Sequence, residues 1–233
     1  MAKKLARSIR AACSNAEQNR RNMMNTETII DLIRHGEPEG GQKLRGTLDD
    51  PLSELGWEQM RTSVGEHSPW ASIVSSPLSR CRYFAGELAD KLSLDLDINA
   101  EFREIAFGEW EGLTNKQLME GNKEAFSKYW QDPENNTPPG GEPLSQFVTR
   151  VHGAWEDLVE QSKGQHRLLV CHGGVIRAIL THVLGMPTSK LWSFDVPYAN
   201  VSRIIIYHWS EPKSEGDQEQ SAAQLRFHQT RLI

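Results

Sequence analysis

Apolar positions along this chain repeat in two ways. Short continuous runs at 28–33, 71–74, 167–171 and 201–209 read as strands buried on both faces. A fifth segment, 94–98, alternates apolar residues with acids and reads as a half-buried strand. Between them lie patterns of helical period. Ser53 caps a helix with Leu55 and Met60 among its apolar positions. Ser76 followed by Pro77 starts a helix running to about residue 92, with Pro77 at its first position. A helical stretch covers 114–130. Leu144, Phe147, Val148, Val151, Trp155, Leu158 and Val159 mark one face of an amphipathic helix. A last helix spans 175–184 and stops at Gly185. Segments 37–52, 101–113, 132–143 and 210–222 read as loops, and 225–233 as an edge strand. Strands alternating with helices predict an α/β protein: a three-layer α/β/α sandwich around a mostly parallel central sheet.

Composition narrows the class. The 233 residues suit one domain with a full core. No apolar run approaches the ~20 residues of a membrane span. The net charge is −5, but residues 1–21 hold six Lys/Arg against the single acid Glu17, so the remainder is more acidic still. An acidic body is a poor nucleic-acid binder. Residues 1–25 are expected to form a basic, disordered arm ahead of a domain at 26–233. Met23 and Met24 are the expected start of translation. Cys13, Cys81 and Cys171 are isolated and odd in number, so no disulfide framework is expected and a reducing cytoplasm fits. Cys81 and Cys171 read as small buried residues.

Two strand ends carry the candidate chemistry. Residues 32–37 read Leu-Ile-Arg-His-Gly-Glu, and residues 168–174 read Leu-Leu-Val-Cys-His-Gly-Gly. Each places an imidazole, His35 or His172, at the carboxyl edge of a sheet, where ligands of open α/β sheets bind. A neutral imidazole attacks phosphorus readily, provided the phosphate oxygens are neutralised. Arg34 and Arg80 offer planar, bidentate donors for that purpose. Gly173, opening the last helix, adds backbone N–H groups. A leaving alkoxide also needs a proton donor. Glu104 sits among apolar neighbours on the loop at 101–112, with Glu101, Glu109 and Glu111 as rivals. His67, His152, His166, His182, His208 and His228 show no metal-ligand spacing, and no metal or cofactor is expected.

Taken together, these blocks resemble the histidine phosphatase superfamily, in the branch that includes cofactor-dependent phosphoglycerate mutase. The resemblance spans about residues 26–210. It rests on the two His-Gly motifs, on Pro51-Leu52-Ser53-Glu54-Leu55-Gly56, on Ser75-Ser76-Pro77-Leu78-Ser79-Arg80, and on Phe102-Arg103-Glu104 with Gly108-Glu109-Trp110-Glu111-Gly112. It implies a phosphoglycerate mutase-like fold and a phosphohistidine on His35. It further implies that Arg34 and Arg80 grip the phosphate, that His172 bonds the transferring group, and that Glu104 is the general acid. The loop at about 101–143 would cover the site. Two positions depart from the family pattern. Pro38 replaces a common Ser or Thr, and Arg45-Gly46 stands where many members have Gln-Gly. Arg45 is either a charged substrate contact or a solvated loop arginine.

Within the superfamily the chain is most similar to α-ribazole phosphatases. The similarity lies in Arg-His-Gly-Glu-Pro-Glu-Gly-Gly, Phe-Gly-Glu-Trp-Glu, Pro138-Pro139-Gly140-Gly141-Glu142 and Gly185-Met186-Pro187 before Leu191-Trp192. It implies a small-molecule phosphomonoester substrate, α-ribazole 5′-phosphate or the phosphorylated corrinoid precursor, in cobalamin biosynthesis. Trp110, Phe126, Tyr129 and Trp130 would either cover a flat benzimidazole or hold the cap to the body. The alternatives are a general sugar or nucleotide phosphatase, a mutase-like enzyme and, from another class, a non-catalytic phospho-ligand-binding module. Resemblance to the mutases would imply a longer insertion between the acid loop and the final catalytic strand; this chain is short there, which favours hydrolysis over mutase activity. The apolar run Ile204-Ile205-Ile206 serves a core or a sheet edge, the latter consistent with a homodimer.

Overall fold

The computed structural model of the chain describes residues 26–210 and 219–229. The basic arm at 1–25 and most of the loop at 210–222 lie outside the described residues. Six strands, β1 (Thr26–Arg34), β2 (Ser72–Ser75), β3 (Asp95–Ile98), β4 (His166–Cys171), β5 (Val201–Ser210) and β6 (Glu219–Gln229), form one sheet ordered β3-β2-β4-β1-β5-β6. β1 to β4 run parallel, and β5 and β6 add antiparallel at one side. The sheet is thus mixed and mostly parallel.

Among the described residues six α-helices accompany it: α1 (Glu54–Val64), α2 (Ser79–Leu92), α3 (Asn115–Gly121), α4 (Lys123–Gln131), α5 (Leu144–Gln161) and α6 (Gly173–Val183). Alternate strand residues face opposite sides. Ile33, Leu168, Val170 and Val201 pack with Met60, Val64, Phe84 and Leu88 of α1 and α2. Ile30, Leu32, Leu169 and Ile204 pack with Val151, Trp155, Ile176 and Ile179 of α5 and α6. Strands apolar on both faces therefore produce the three layers expected from their continuous runs.

Several boundaries differ from expectation. Pro77 is not the first helical residue: α2 begins at Ser79, with Leu78 as its N-cap and no side-chain cap bond from that residue. Asp49, thirty residues earlier, accepts from Ser79 N at 2.6 Å and Ser79 Oγ at 2.7 Å, so this helix is capped from a distant loop. The stretch 114–130 is two helices, broken where Asn122 adopts φ −137° after Gly121, both weak helix formers. β3 is more exposed than an alternating strand predicts, because it is the sheet's outer edge. β6 begins at Glu219, not 225. Its polar first half is held by backbone pairing to β5, a partner that hydrophobic patterning does not register.

Candidate active site

Strand register assembles the site. Arg34 pairs with Cys171 across β1 and β4, so the next residues, His35 and His172, emerge side by side at the carboxyl edge. The His35 amide donates to Cys171 O at 3.0 Å, and the two imidazole centroids lie 5.2 Å apart. Chain connections leave β1 and β4 in opposite directions along the sheet, so the pair sits at a topological switch point. Gly36 lets the chain turn there: a Cβ on it would collide with the backbone of Gly56 in α1.

His35 is buried, and its Nδ1 lies 2.7 Å from Gly36 O. A carbonyl only accepts, so Nδ1 carries the proton and Nε2 keeps its lone pair. Burial, followed by the charges of Arg80 and Arg34, pushes His35 well below the usual histidine range, and burial with Arg80 does the same to His172. Both rings are neutral at physiological pH. His172 Nε2 lies 2.7 Å from Ser76 Oγ, and the Cys81 thiol packs against the ring. Cys81 and Cys171 are buried free thiols, both pushed up by burial, consistent with small inert packing residues.

Two guanidiniums flank the imidazoles. Arg34 Nη1 donates to Val196 O at 2.5 Å, and its Cζ stands 4.2 Å from the Tyr198 ring centroid. Arg80, almost wholly buried, donates to Leu48 O at 2.8 Å and to Arg45 O and Gly46 O at 3.2 and 3.1 Å. The Nε of each arginine is buried with no partner among the described residues. Such orphan donors are costly unless an acceptor arrives, and a phosphate supplies one.

Of the four candidate acids, Glu104 lines the cavity with these groups. Its Oε2 accepts from Gly174 N at 3.0 Å and its Oε1 from Ile105 N at 3.1 Å. A Cβ on Gly174 would collide with that carboxylate, so glycine is required where the acid meets the helix. Arg150 of α5 holds the acid loop by donating to the carbonyls of Glu101, Arg103 and Glu104. Glu111 has a different task. It accepts from Thr47 N, Leu48 N and Phe107 N, clamping the loop whose carbonyls receive Arg80. Glu101 and Glu109 are exposed and outside the cavity lining.

The cavity holds about 290 Å³, and Arg34, His35, Arg45, Arg80, Glu104 and Gly173 all contribute to its wall. Arg45 is buried, which excludes the solvated-loop alternative. Its guanidinium is largely engaged within its own loop, donating to Asp50 at 2.8 Å and to Glu39 O and Gly41 O at 2.5 and 2.6 Å. Gly173 starts α6, two residues before the expected start of that helix. Of the four aromatics considered for the cap, Trp110, Phe126 and Tyr129 are core residues, and Trp130 alone reaches the cavity.

Sequence reasoning missed Arg177, Trp192 and Tyr198, all part of the wall. Arg177 lies four residues after Gly173 on α6, so helical period alone could have found it. Trp192 lies in a segment that carries the family similarity but no implied site role, and Tyr198 follows it in a loop with no local signal. Among the described residues, no group of three or more His, Cys, Asp or Glu is arranged to hold a metal ion, and no helix is long and apolar enough to cross a membrane.

Residues 30–213 match the family model of the histidine phosphatase superfamily, branch 1. Phosphoserine phosphatase 1 of Hydrogenobacter thermophilus is 33% identical over 177 residues, covering 74% of this chain and 84% of that protein. The adenosylcobalamin/alpha-ribazole phosphatase of Salmonella typhimurium is 31% identical over 179 residues, 75% of this chain and 89% of that one. The crystal structure of the alpha-ribazole phosphatase from Shigella flexneri superposes with a TM-score of 0.71 at 27% identity, covering 88% of this chain and 98% of that one. The chain belongs to the histidine phosphatase superfamily, branch 1, and is a phosphatase.

Proposed function

We propose that the enzyme hydrolyses a small phosphomonoester, without a metal, through a phosphohistidine on His35. The observation that carries this reading is the division of the His35 ring: Nδ1–H is committed to Gly36 O, and Nε2 keeps its lone pair in a cavity whose wall also holds Arg34 and Arg80, each with an Nε donor unpartnered among the described residues. Nε2 attacks phosphorus while the bond to the leaving oxygen breaks, and Glu104 gives that oxygen its proton. Arg34, Arg80, His172 and the Gly173 end of α6 hold the phosphoryl oxygens. Glu104, now a carboxylate, takes a proton from the water that attacks phosphorus. The P–N bond breaks, leaving inorganic phosphate and neutral His35. Arg45 acts through the loop it holds. Segment 101–143 covers the site, with Phe107 and Trp130 in the wall. The buried free thiols suit a reducing cytoplasm.

The substrate we propose is α-ribazole 5′-phosphate or its corrinoid-bound form, placing the enzyme in cobalamin biosynthesis. Support comes from the names of the Salmonella and Shigella relatives. The phosphoserine phosphatase relative, comparably similar, supports a second reading as a phosphatase of phosphoserine. The test is kcat/KM in EDTA for α-ribazole 5′-phosphate, O-phosphoserine and phenyl phosphate, with an alkaline denaturing quench to trap the acid-labile phosphoenzyme. The expected result is a strong preference for α-ribazole 5′-phosphate and a trapped phosphohistidine, both abolished in His35→Ala. A preference for O-phosphoserine overturns the substrate, and wild-type turnover retained by His35→Ala overturns the mechanism.

A further inference from the structure

The mouth of the cavity contains an unusual pair. Trp130, from α4, is 39% exposed, whereas Phe126 and Tyr129 of the same helix are buried. Its ring meets that of Trp192, sixty-two residues later, with centroids 5.3 Å apart at 71°. Both line the wall that holds His35 and Glu104. Arg177 backs the second ring, its Cζ 5.5 Å from the Trp192 centroid, and is itself fixed by Nε donating to Phe194 O at 3.1 Å. Trp192 Nε1 is buried and has no acceptor among the described residues. A buried indole N–H normally finds a partner. Leaving a large aromatic side chain partly open to water at a catalytic cavity is unfavourable for the protein alone. A flat ring seated against Trp130 removes that cost.

We propose that Trp130 and Trp192, with Arg177 behind them, form a leaving-group platform that selects phosphomonoesters whose alcohol carries a planar heteroaromatic ring. The inference rests on the His35 cavity being the catalytic site, but not on α-ribazole being the particular alcohol. Aromatic faces accept flat rings with little regard to identity, so the platform sets the chemical class while other contacts set the compound. Pro38, Leu44 and Phe107 also line the cavity.

The experiment compares wild type, Trp130→Leu and Trp192→Leu on three probes. α-Ribazole 5′-phosphate and adenosine 5′-monophosphate carry a ring, and O-phosphoserine carries none. Leucine keeps apolar bulk, which protects the fold. The expected result is a loss in kcat/KM about tenfold or more larger for the ring-bearing probes than for O-phosphoserine, expressed mainly in KM. Equal losses on all three, or none, overturn the platform. A second readout needs no turnover: α-ribazole titrated into the wild type should change tryptophan fluorescence, and the change should vanish in Trp130→Leu. An unchanged response in that variant also overturns it. If wild type prefers adenosine 5′-monophosphate while both variants lose ring-bearing probes selectively, the α-ribazole assignment fails and the platform stands.

Discussion

In the proposed mechanism His35 is made a nucleophile by its immediate neighbours rather than by a dedicated base. Gly36 O fixes the tautomer, and burial with Arg80 and Arg34 disfavours the imidazolium. The same arginines lower the charge that the nucleophile meets. What remains is the proton for the leaving group, and Glu104→Gln isolates that step. For alkyl phosphomonoesters kcat/KM should fall by about 10²–10⁴-fold. An aryl ester, whose alcohol leaves without help, should give a burst of alcohol followed by slow turnover, since the proposed mechanism also has Glu104 activate water. Rapid-quench kinetics distinguish the two, and wild-type turnover of alkyl esters would remove Glu104 from the mechanism. Residues of this kind were legible in the sequence because each sits in a short motif with its backbone neighbour, as Arg34 does beside His35. Choosing Glu104 over Glu101, Glu109 and Glu111 from the chain alone required the family resemblance. In the structure the choice rests on which carboxylate meets Gly174 N.

At the level of elements, the site depends on caps and clamps supplied from afar. α2 presents Arg80 as its second residue, and Asp49 caps that helix from the loop after β1. Asp49→Ala should lower stability by about 1 kcal/mol and raise KM, because the helix end that positions Arg80 loosens. Urea denaturation beside steady-state kinetics checks this, and an unchanged KM with lowered stability would separate the cap from the site. The Ser-Pro signal pointed to the correct helix and the wrong first residue, because a local rule assumes a local cap. In contrast, Ser53 caps α1 as expected, its Oγ accepting from Gly56 N at 3.0 Å. There the partner lies three residues away.

At the scale of the whole molecule, buried titratable groups couple the site to stability. His35 and His172 are neutral in the fold but protonate in the unfolded chain near the ordinary histidine value of about 6.5. Below that pH the unfolded state binds more protons, so stability falls as pH drops from about 6.5 toward the lower folded values. Asp31 adds a second, more acidic loss. Burial would raise it, but hydrogen bonds from Arg203 and His166 outweigh burial and hold it below 3.8. Its stabilisation is present above that value and is lost as pH falls through the folded one. The urea midpoint should be level near neutral pH and decline once pH passes below about 6.5; a flat midpoint down to pH 5 would contradict neutral buried imidazoles.

The class of the fold, the two strand-end histidines and Arg34 were already legible in the chain. They follow from hydrophobic period and nearest neighbours, which act within a few residues. The wall around them came from long-range packing. Register brought His35 to His172, and a distant loop carried Trp192 and Tyr198 to Trp130 and Arg34. Packing also buried Trp110, Phe126 and Tyr129 while leaving Trp130 at the cavity. Which aromatic faces a ligand depends on which sides the neighbouring elements cover, and that covering is a long-range property of the folded chain.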